Sequence, residues 1–225
     1  MWRKSGLARA VAAVVWALAA VPGLAATVVM TPGNVSQALA ALRPGDTLRM
    51  EGDFATRLVF RNRDFGGVQV DASRATLRDG MQLSNVHNIS FADARIGSLE
   101  AGTINRFAVL VDRSTHVSFA RATVLGNSDG VGTGMRIINS RYVTVRDSLF
   151  DGNVDGITLL TSPDSLLVRN RFINGQSDGM KIVDSQRIIA SGNSCSGFVP
   201  LPLAHPDCIQ FWSVVGKPLQ SDIYV

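Results

Sequence analysis

Three aspartates, Asp155, Asp178 and Asp207, each stand two residues ahead of a triplet that reads apolar, variable, apolar, and the triplet centres are Thr158, Lys181 and Gln210. Arg136 is the centre of the triplet before them. If the triplets are strands stacked in parallel at ~4.8 Å, the carboxylates form a ladder beside Lys181 and Arg136. Like charges that close repel. Water, a cation or the neighbouring Lys and Arg must compensate them, or one carboxylate must take up a proton. Asp155, Asp178 and Asp207 are therefore candidate ligands for a hard cation such as Ca2+, which favours clustered oxygens.

The stretch His205-Pro206-Asp207-Cys208-Ile209-Gln210-Phe211-Trp212 adds an imidazole, an amide and an indole to the same rim. Imidazole and carboxylate side chains move protons, Gln210 and Thr158 can hydrogen-bond a sugar, and Trp212 can stack on a sugar ring. Lys181, His205, Asp207 and Arg136 are thus the candidate catalytic groups, and Gln210, Trp212 and Thr158 the candidate binding groups. A plainer reading stands beside this one. Asp-Gly is a common turn dipeptide, in which Asp bonds its own backbone and Gly takes positive φ. His87 and His116 lie at turns away from the ladder and read as solvated.

What must position these groups is a repeat. The triplets are Met81-Gln82-Leu83, Val109-Leu110-Val111, Met135-Arg136-Ile137, Ile157-Thr158-Leu159, Met180-Lys181-Ile182 and Ile209-Gln210-Phe211, at steps of 28, 26, 22, 23 and 29 residues. That period marks stacked supersecondary units. A second series follows in phase: Ile89-Ser90-Phe91, Val117-Ser118-Phe119, Val143-Thr144-Val145, Leu166-Leu167-Val168 and Ile188-Ile189-Ala190. A third column holds Ile96, Val124, Phe150, Ile173 and Cys195. Short β-branched runs separated by Asn, Asp, Gly and Ser read as three strands per coil. The expectation is an all-β, right-handed parallel β-helix of about six coils.

Asn34, as cap, followed by Val35, Ala38, Leu39 and Leu42 at helical spacing predicts a helix that ends at Pro44-Gly45 and plugs the first coil. At the other end Ser221-Asp222-Ile223-Tyr224-Val225 aligns with the second strand of a new coil. The expectation is a solenoid that continues in a longer protein or has its end covered.

The register of Asp151-Gly152-Asn153-Val154-Asp155-Gly156-Ile157 against Asn174-Gly175-Gln176-Ser177-Asp178-Gly179-Met180, with the N-terminal helix and the Pro44-Gly45-Asp46 lead-in, resembles the pectin-lyase-like β-helix superfamily from about Thr27 onward. The resemblance implies an exported protein acting on an acidic polysaccharide, foremost a polysaccharide lyase or uronate epimerase. Such chemistry removes the proton beside a sugar carboxylate, so Arg136 or Ca2+ would neutralise that carboxylate while Lys181 or His205 served as base. Mannuronan epimerases of the superfamily carry Asp-Pro-His; this chain has the reverse, His205-Pro206-Asp207. Alternatives are a polygalacturonase-like hydrolase, whose paired-Asp and Arg-x-Lys motifs are absent, and a non-catalytic glycan-binding or structural β-helix of adhesin type.

The first 26 residues combine a basic start, an apolar run from Val11 to Leu24 and small residues at Ala25 and Ala26, the pattern of a secretory signal peptide. Residues 27–225 would then form the β-helix domain, periplasmic or secreted, with no stable membrane span. Removal of Arg3, Lys4 and Arg9 with the signal leaves 19 basic against 18 acidic residues, which disfavours nucleic acid as a partner. The two cysteines, Cys195 and Cys208, leave two readings open. They can be oxidised together, stapling the loop 196–207, or Cys195 can pack as a small hydrophobe in the third column.

Overall fold

The structure is a computed structural model that describes residues 24–98, 106–126, 130–217 and 219–225. The signal-peptide reading therefore lies almost wholly outside the described residues. The chain winds into a parallel β-solenoid of about seven turns with one short helix among the described residues. Within each turn, consecutive strands belong to three different faces, and every face pairs in parallel with the same face of the next turn.

The first face carries the triplets in the expected register: Met81 pairs with Val109, Val109 with Met135, Met135 with Ile157, Ile157 with Met180 and Met180 with Ile209. It begins one turn earlier than the repeat showed, because Leu58-Val59-Phe60 pairs with Met81-Gln82-Leu83. The earlier turn lies in one long strand, Leu58–Leu77, that bends around corners without the usual punctuation. Alternation sends Met81, Leu83, Met135, Ile137, Ile157, Leu159, Met180 and Ile182 inward, at 0–2% exposure.

Two inward assignments change. On the third face Phe150 pairs with Phe172 and Phe172 with Cys195. Phe172 is the core residue, its ring stacked 5.0 Å from that of Phe150, and Ile173 faces outward opposite Asp151. On the second face the pairing Thr144 to Leu166 and Leu166 to Ile189 turns Leu166 outward. Leu167 is the buried residue and Ser165 fills the other inward place. A slip of one residue exchanges faces. Three adjacent apolar residues, Leu166-Leu167-Val168, hid the slip, and Ser165 tolerates burial because its hydroxyl reaches the carbonyls of Ser162 at 3.2 Å and Pro163 at 3.3 Å.

Corners are fastened by stacked polar side chains. Ser114, Ser140, Ser162 and Ser185 are all fully buried. Each hydroxyl accepts a backbone N–H from the preceding turn, from Val86, Ser114, Ser140 and Ser162 in order, at 3.0–3.1 Å. Each donates to the carbonyl two residues earlier at 2.8 Å. The corner residues just before them, Arg113, Asn139, Thr161 and Asp184, take left-handed conformations that swing the chain sharply.

The helix spans Val35–Ala41 and buries Ala38, with Val35 and Leu39 against the core, as its spacing predicts. Asn34 stands at the cap position but does not cap with its side chain. Its Oδ1 accepts from Thr31 N at 2.7 Å and its Nδ2 donates to Val29 O at 3.2 Å, tying the helix to the strand Thr27–Met30. At the C-terminal end Arg63 donates to the carbonyls of Leu39 and Leu42, satisfying groups that a helix leaves open. At the far end Ile223-Tyr224 pairs with Ile188-Ile189, which is the second-face register read from the sequence.

Candidate functional site

The strands Thr133–Ile138, Ile157–Leu160, Met180–Val183 and Ile209–Trp212 lie side by side on the first face. Their outward residues Arg136, Thr158, Lys181 and Gln210 are direct register partners and form one row. Asp155, Asp178 and Asp207 precede these strands in adjacent turns, as expected.

Lys181 answers the problem of stacked carboxylates. Its Nζ lies 2.7 Å from Asp155 Oδ1, 3.2 Å from Asp178 Oδ2 and 3.4 Å from Ser177 Oγ. Asp178 is buried at 4% exposure, so the ammonium is its nearest compensation. Burial opposes the charge on Lys181, but hydrogen bonding and attraction from Asp155, then Asp178, outweigh it and raise its pKa. A lysine held that way is a charge donor and a poor proton acceptor. The carboxylates also climb the stack: Asp178 N–H donates to Asp155 Oδ1 at 3.3 Å, and Asp207 N–H donates to Asp178 Oδ1 at 2.8 Å.

The glycines beside these aspartates have a different reason from the turn reading. Gly156 and Gly179 do not take positive φ. A Cβ on Gly156 would lie 2.3 Å from the Phe172 ring and 2.5 Å from Gly179 O; on Gly179 it would lie 2.6 Å from Cys208 O. Close stacking of turns, not turn conformation, requires them. Asp79-Gly80 does fit the turn reading, with φ 77° at Gly80.

Arg136 is not bonded to Asp155. Its guanidinium stands over the Phe107 ring at 5.1 Å, and among the described residues it has no carboxylate partner. Arg106 approaches the same ring at 6.0 Å. Phe107 and Arg106 line a cleft of about 360 Å³ with Arg57, Asp79, Gln82 and Leu110. Arg57 is committed to the backbone, donating to the carbonyls of Asp79, Met81 and Phe107 at 2.9–3.2 Å. The sequence reading passed over Arg106 and Phe107. Their signal was available: Phe107 occupies the position of Thr133 one turn earlier, an aromatic in a column otherwise polar.

The loop 196–207 places the remaining candidates. His205 is 85% exposed, and its Nδ1 lies 4.0 Å from Asp207 Oδ2, whose side chain is 52% exposed. Trp212 stays on the row: its indole N–H donates to Gln210 Oε1 at 3.0 Å, and the ring is about half exposed. The loop is stapled by a Cys195–Cys208 disulfide with a Cα–Cα distance of 5.5 Å, so the oxidised reading of the pair is the one realised. His87 joins the strand Met81–Ala92, with its Nδ1 2.8 Å from Thr115 Oγ1. His116 stacks on Tyr142 at 4.7 Å. Among the described residues no group of three or more His, Cys, Asp and Glu side chains is placed to hold a metal ion.

A family model described as periplasmic copper-binding protein (NosD) matches residues 62–197, more than half of the chain. The chain belongs to the NosD family. That family is periplasmic by its description, which agrees with the exported location read from the N-terminus. No helix among the described residues is long and apolar enough to cross a membrane. No curated protein matches this NosD-family chain in sequence.

The chain is also similar to solved structures. The periplasmic alginate epimerase AlgG is 16% identical with TM-score 0.47, over 88% of this chain and 54% of that one. ORF18 of Geobacillus virus E2 is 11% identical with TM-score 0.41, over 88% and 52%. Pectate lyase Pel9A is 13% identical with TM-score 0.33, over 82% and 79%. The chain thus spans about half the length of the first two.

Proposed function

We propose that this chain is a periplasmic β-helix protein that acts on an acidic polysaccharide laid along the outer row of its first face. The observation that carries the reading is Arg136: a half-buried guanidinium without a carboxylate partner among the described residues, in register with Thr158, Lys181 and Gln210. A guanidinium so placed favours a planar carboxylate. Thr158, Gln210 and Trp212 supply hydrogen bonds and a stacking surface along the same line.

The finer reading is a polysaccharide lyase or uronate epimerase. Arg136 would neutralise the sugar carboxylate, and Lys181, locked to Asp155 and Asp178, would hold positive charge over the row. The base then falls to His205, since an imidazole accepts protons near neutral pH, with Asp207 as its neighbour. Ca2+ at Asp155, Asp178 and Asp207 is the other means of balancing the ladder; Lys181 already does so for the first two, which leaves Asp207 as the available carboxylate. A second reading, glycan binding without turnover, is favoured by one observation: Lys181, the basic group at the centre of the row, is held by Asp155 and Asp178 and is a poor proton acceptor.

The test is a panel of uronate polymers offered to the purified protein with and without chelator. A lyase produces ultraviolet absorbance from an unsaturated product, and an epimerase changes the proton spectrum of the polymer without cleaving it. Arg136→Ala should weaken retention of a polyuronate by about tenfold, the equivalent of ~1.4 kcal/mol. Binding without either product establishes the second reading. No binding to any uronate polymer ends the proposal.

The family description also names copper, and the chemistry of the donor set decides whether these residues fit it. Copper takes thiolate, thioether and imidazole donors. Both cysteines are bonded to each other. Met30, Met50, Met81, Met135 and Met180 are buried in the core at 0–2% exposure. His87 and His116 lie on neighbouring turns near Asp64, His205 stands on the loop 196–207 several turns further along, and among the described residues no three His, Cys, Asp or Glu side chains gather to hold a metal. With the disulfide closed, the described residues do not fit copper.

A further inference from the structure

Many surface arginines of this chain are answered by a carboxylate: Arg78 by Asp53, Arg121 by Asp93, Arg169 by Asp147, and Arg141 and Arg187 by Asp164. Arg106 and Arg136 have no such partner among the described residues. Both turn instead to one aromatic ring, with their guanidinium carbons 6.0 Å and 5.1 Å from the centre of Phe107. Arg136 is the register partner of Leu110, and Phe107 that of Thr133. The Arg136 side chain therefore leans back one turn, over the strand Phe107–Asp112. A ring holds a guanidinium through its quadrupole and leaves the N–H donors for a carboxylate. Heads held before binding lose less freedom on binding. Beside the ring lies the cleft of about 360 Å³ that Leu110, Gln82 and Arg57 help to wall. The acid in its lining, Asp79, accepts from Arg57 N at 3.2 Å and is offset by the Arg57 charge. Arg106 and Arg136 thus leave the cleft positive.

We propose that this cleft is a separate subsite for two adjacent uronate residues, with one carboxylate on Arg136, the next on Arg106 and the apolar face of a sugar against Phe107 and Leu110. The inference rests on the reading of the first face as a polyuronate track, and it carries that track past Arg136 toward the N-terminal turns. Leu110 sits between Gln82 and Arg136 in the outward row, so the row changes there from polar side chains to an apolar bed. Planar guanidiniums bind carboxylates through two parallel bonds. Because both heads stand within 6.0 Å of one ring centre, they call for carboxylates on neighbouring sugars. A polymer with a carboxylate on every sugar meets both. One in which uronate alternates with a neutral sugar leaves one guanidinium without its partner. The ligand class is therefore a contiguous polyuronate. Its footprint from Gln210 back to Gln82 is about 24 Å at the ~4.8 Å spacing of turns.

The experiment is calorimetric titration of the purified full chain with sized oligogalacturonates and oligomannuronates, and with hyaluronan fragments of equal charge, in which uronate alternates with a neutral sugar. Wild type should bind the contiguous oligouronates about tenfold tighter than the alternating fragments. Arg106→Gln should lose about that factor on contiguous ligands and with it the preference. Phe107→Leu keeps the apolar bulk but removes the ring, and it should weaken contiguous ligands severalfold while leaving the alternating ones unchanged. Arg106 is exposed, so Arg106→Gln should melt as wild type does. The subsite is overturned, with the track intact, if Arg106→Gln binds contiguous oligouronates as tightly as wild type while Arg136→Ala does not, or if wild type binds contiguous and alternating fragments alike. Failure of wild type to bind any uronate polymer ends the track and the subsite together.

Discussion

Lys181 decides the character of the ladder. One ammonium serves two carboxylates, one of them buried, so removing it strands Asp178 without compensation. Lys181→Met should lower unfolding free energy by about 2–4 kcal/mol in urea at pH 7, since breaking such a pair costs more than making it gains. Adding Asp178→Asn should recover part of the loss. The pKa of Lys181 is raised above its ordinary 10.5. Its contribution is therefore complete below pH 10.5 and disappears as pH climbs through the higher folded value. Asp164 behaves oppositely. Hydrogen bonds from Arg187 come first; burial opposes them, and Arg141 adds to them, bringing its pKa down from 3.8 to about 2. Stability from Asp164 is present above pH 3.8 and is lost as pH falls through about 2. Melting temperature measured from pH 5 to pH 2 should fall less steeply for Asp164→Asn than for wild type.

At the scale of elements the turns are held by repetition of small features. Each serine of the buried row accepts one amide and donates to one carbonyl. Ser140→Ala removes both bonds and leaves Ser114 N–H buried without an acceptor, so about 1–3 kcal/mol should be lost, read as a lower urea midpoint with an unchanged slope. Gly156→Ala should be more severe, because the added methyl meets both a ring and a backbone carbonyl and neither can yield without separating two turns. Insoluble or partly unfolded protein is the expected result, and a native-like melting temperature would disprove the stacking argument.

For the molecule as a whole, the solenoid divides labour between coils and staple. The Cys195–Cys208 bond spans 13 residues of sequence, a loop whose closure stabilises by roughly 3 kcal/mol in the chain-entropy account. Reduction should lower the unfolding free energy by that order while leaving far-ultraviolet circular dichroism unchanged, since the strands on either side are paired by backbone hydrogen bonds that do not involve the sulfurs. An array of this kind is stabilised mainly by nearest-neighbour contacts, so the losses from Ser140→Ala and from opening the disulfide, which share no partner, should add independently.

From Met81 onward the sequence alone determined the first face. Its triplets alternate strictly, each is bounded by turn residues, and one register buries all of them at once, so Arg136, Thr158, Lys181 and Gln210 had to share a row. It could not separate Leu166 from Leu167 or Ile173 from Phe172, because adjacent apolar residues satisfy either register and only packing against the next turn chooses. Nor could it tell why Gly156 and Gly179 are glycines, or which amine neutralises which carboxylate. Those facts depend on distances between turns, where residues more than twenty positions apart come within a few ångströms, and local patterning has no term for such contacts.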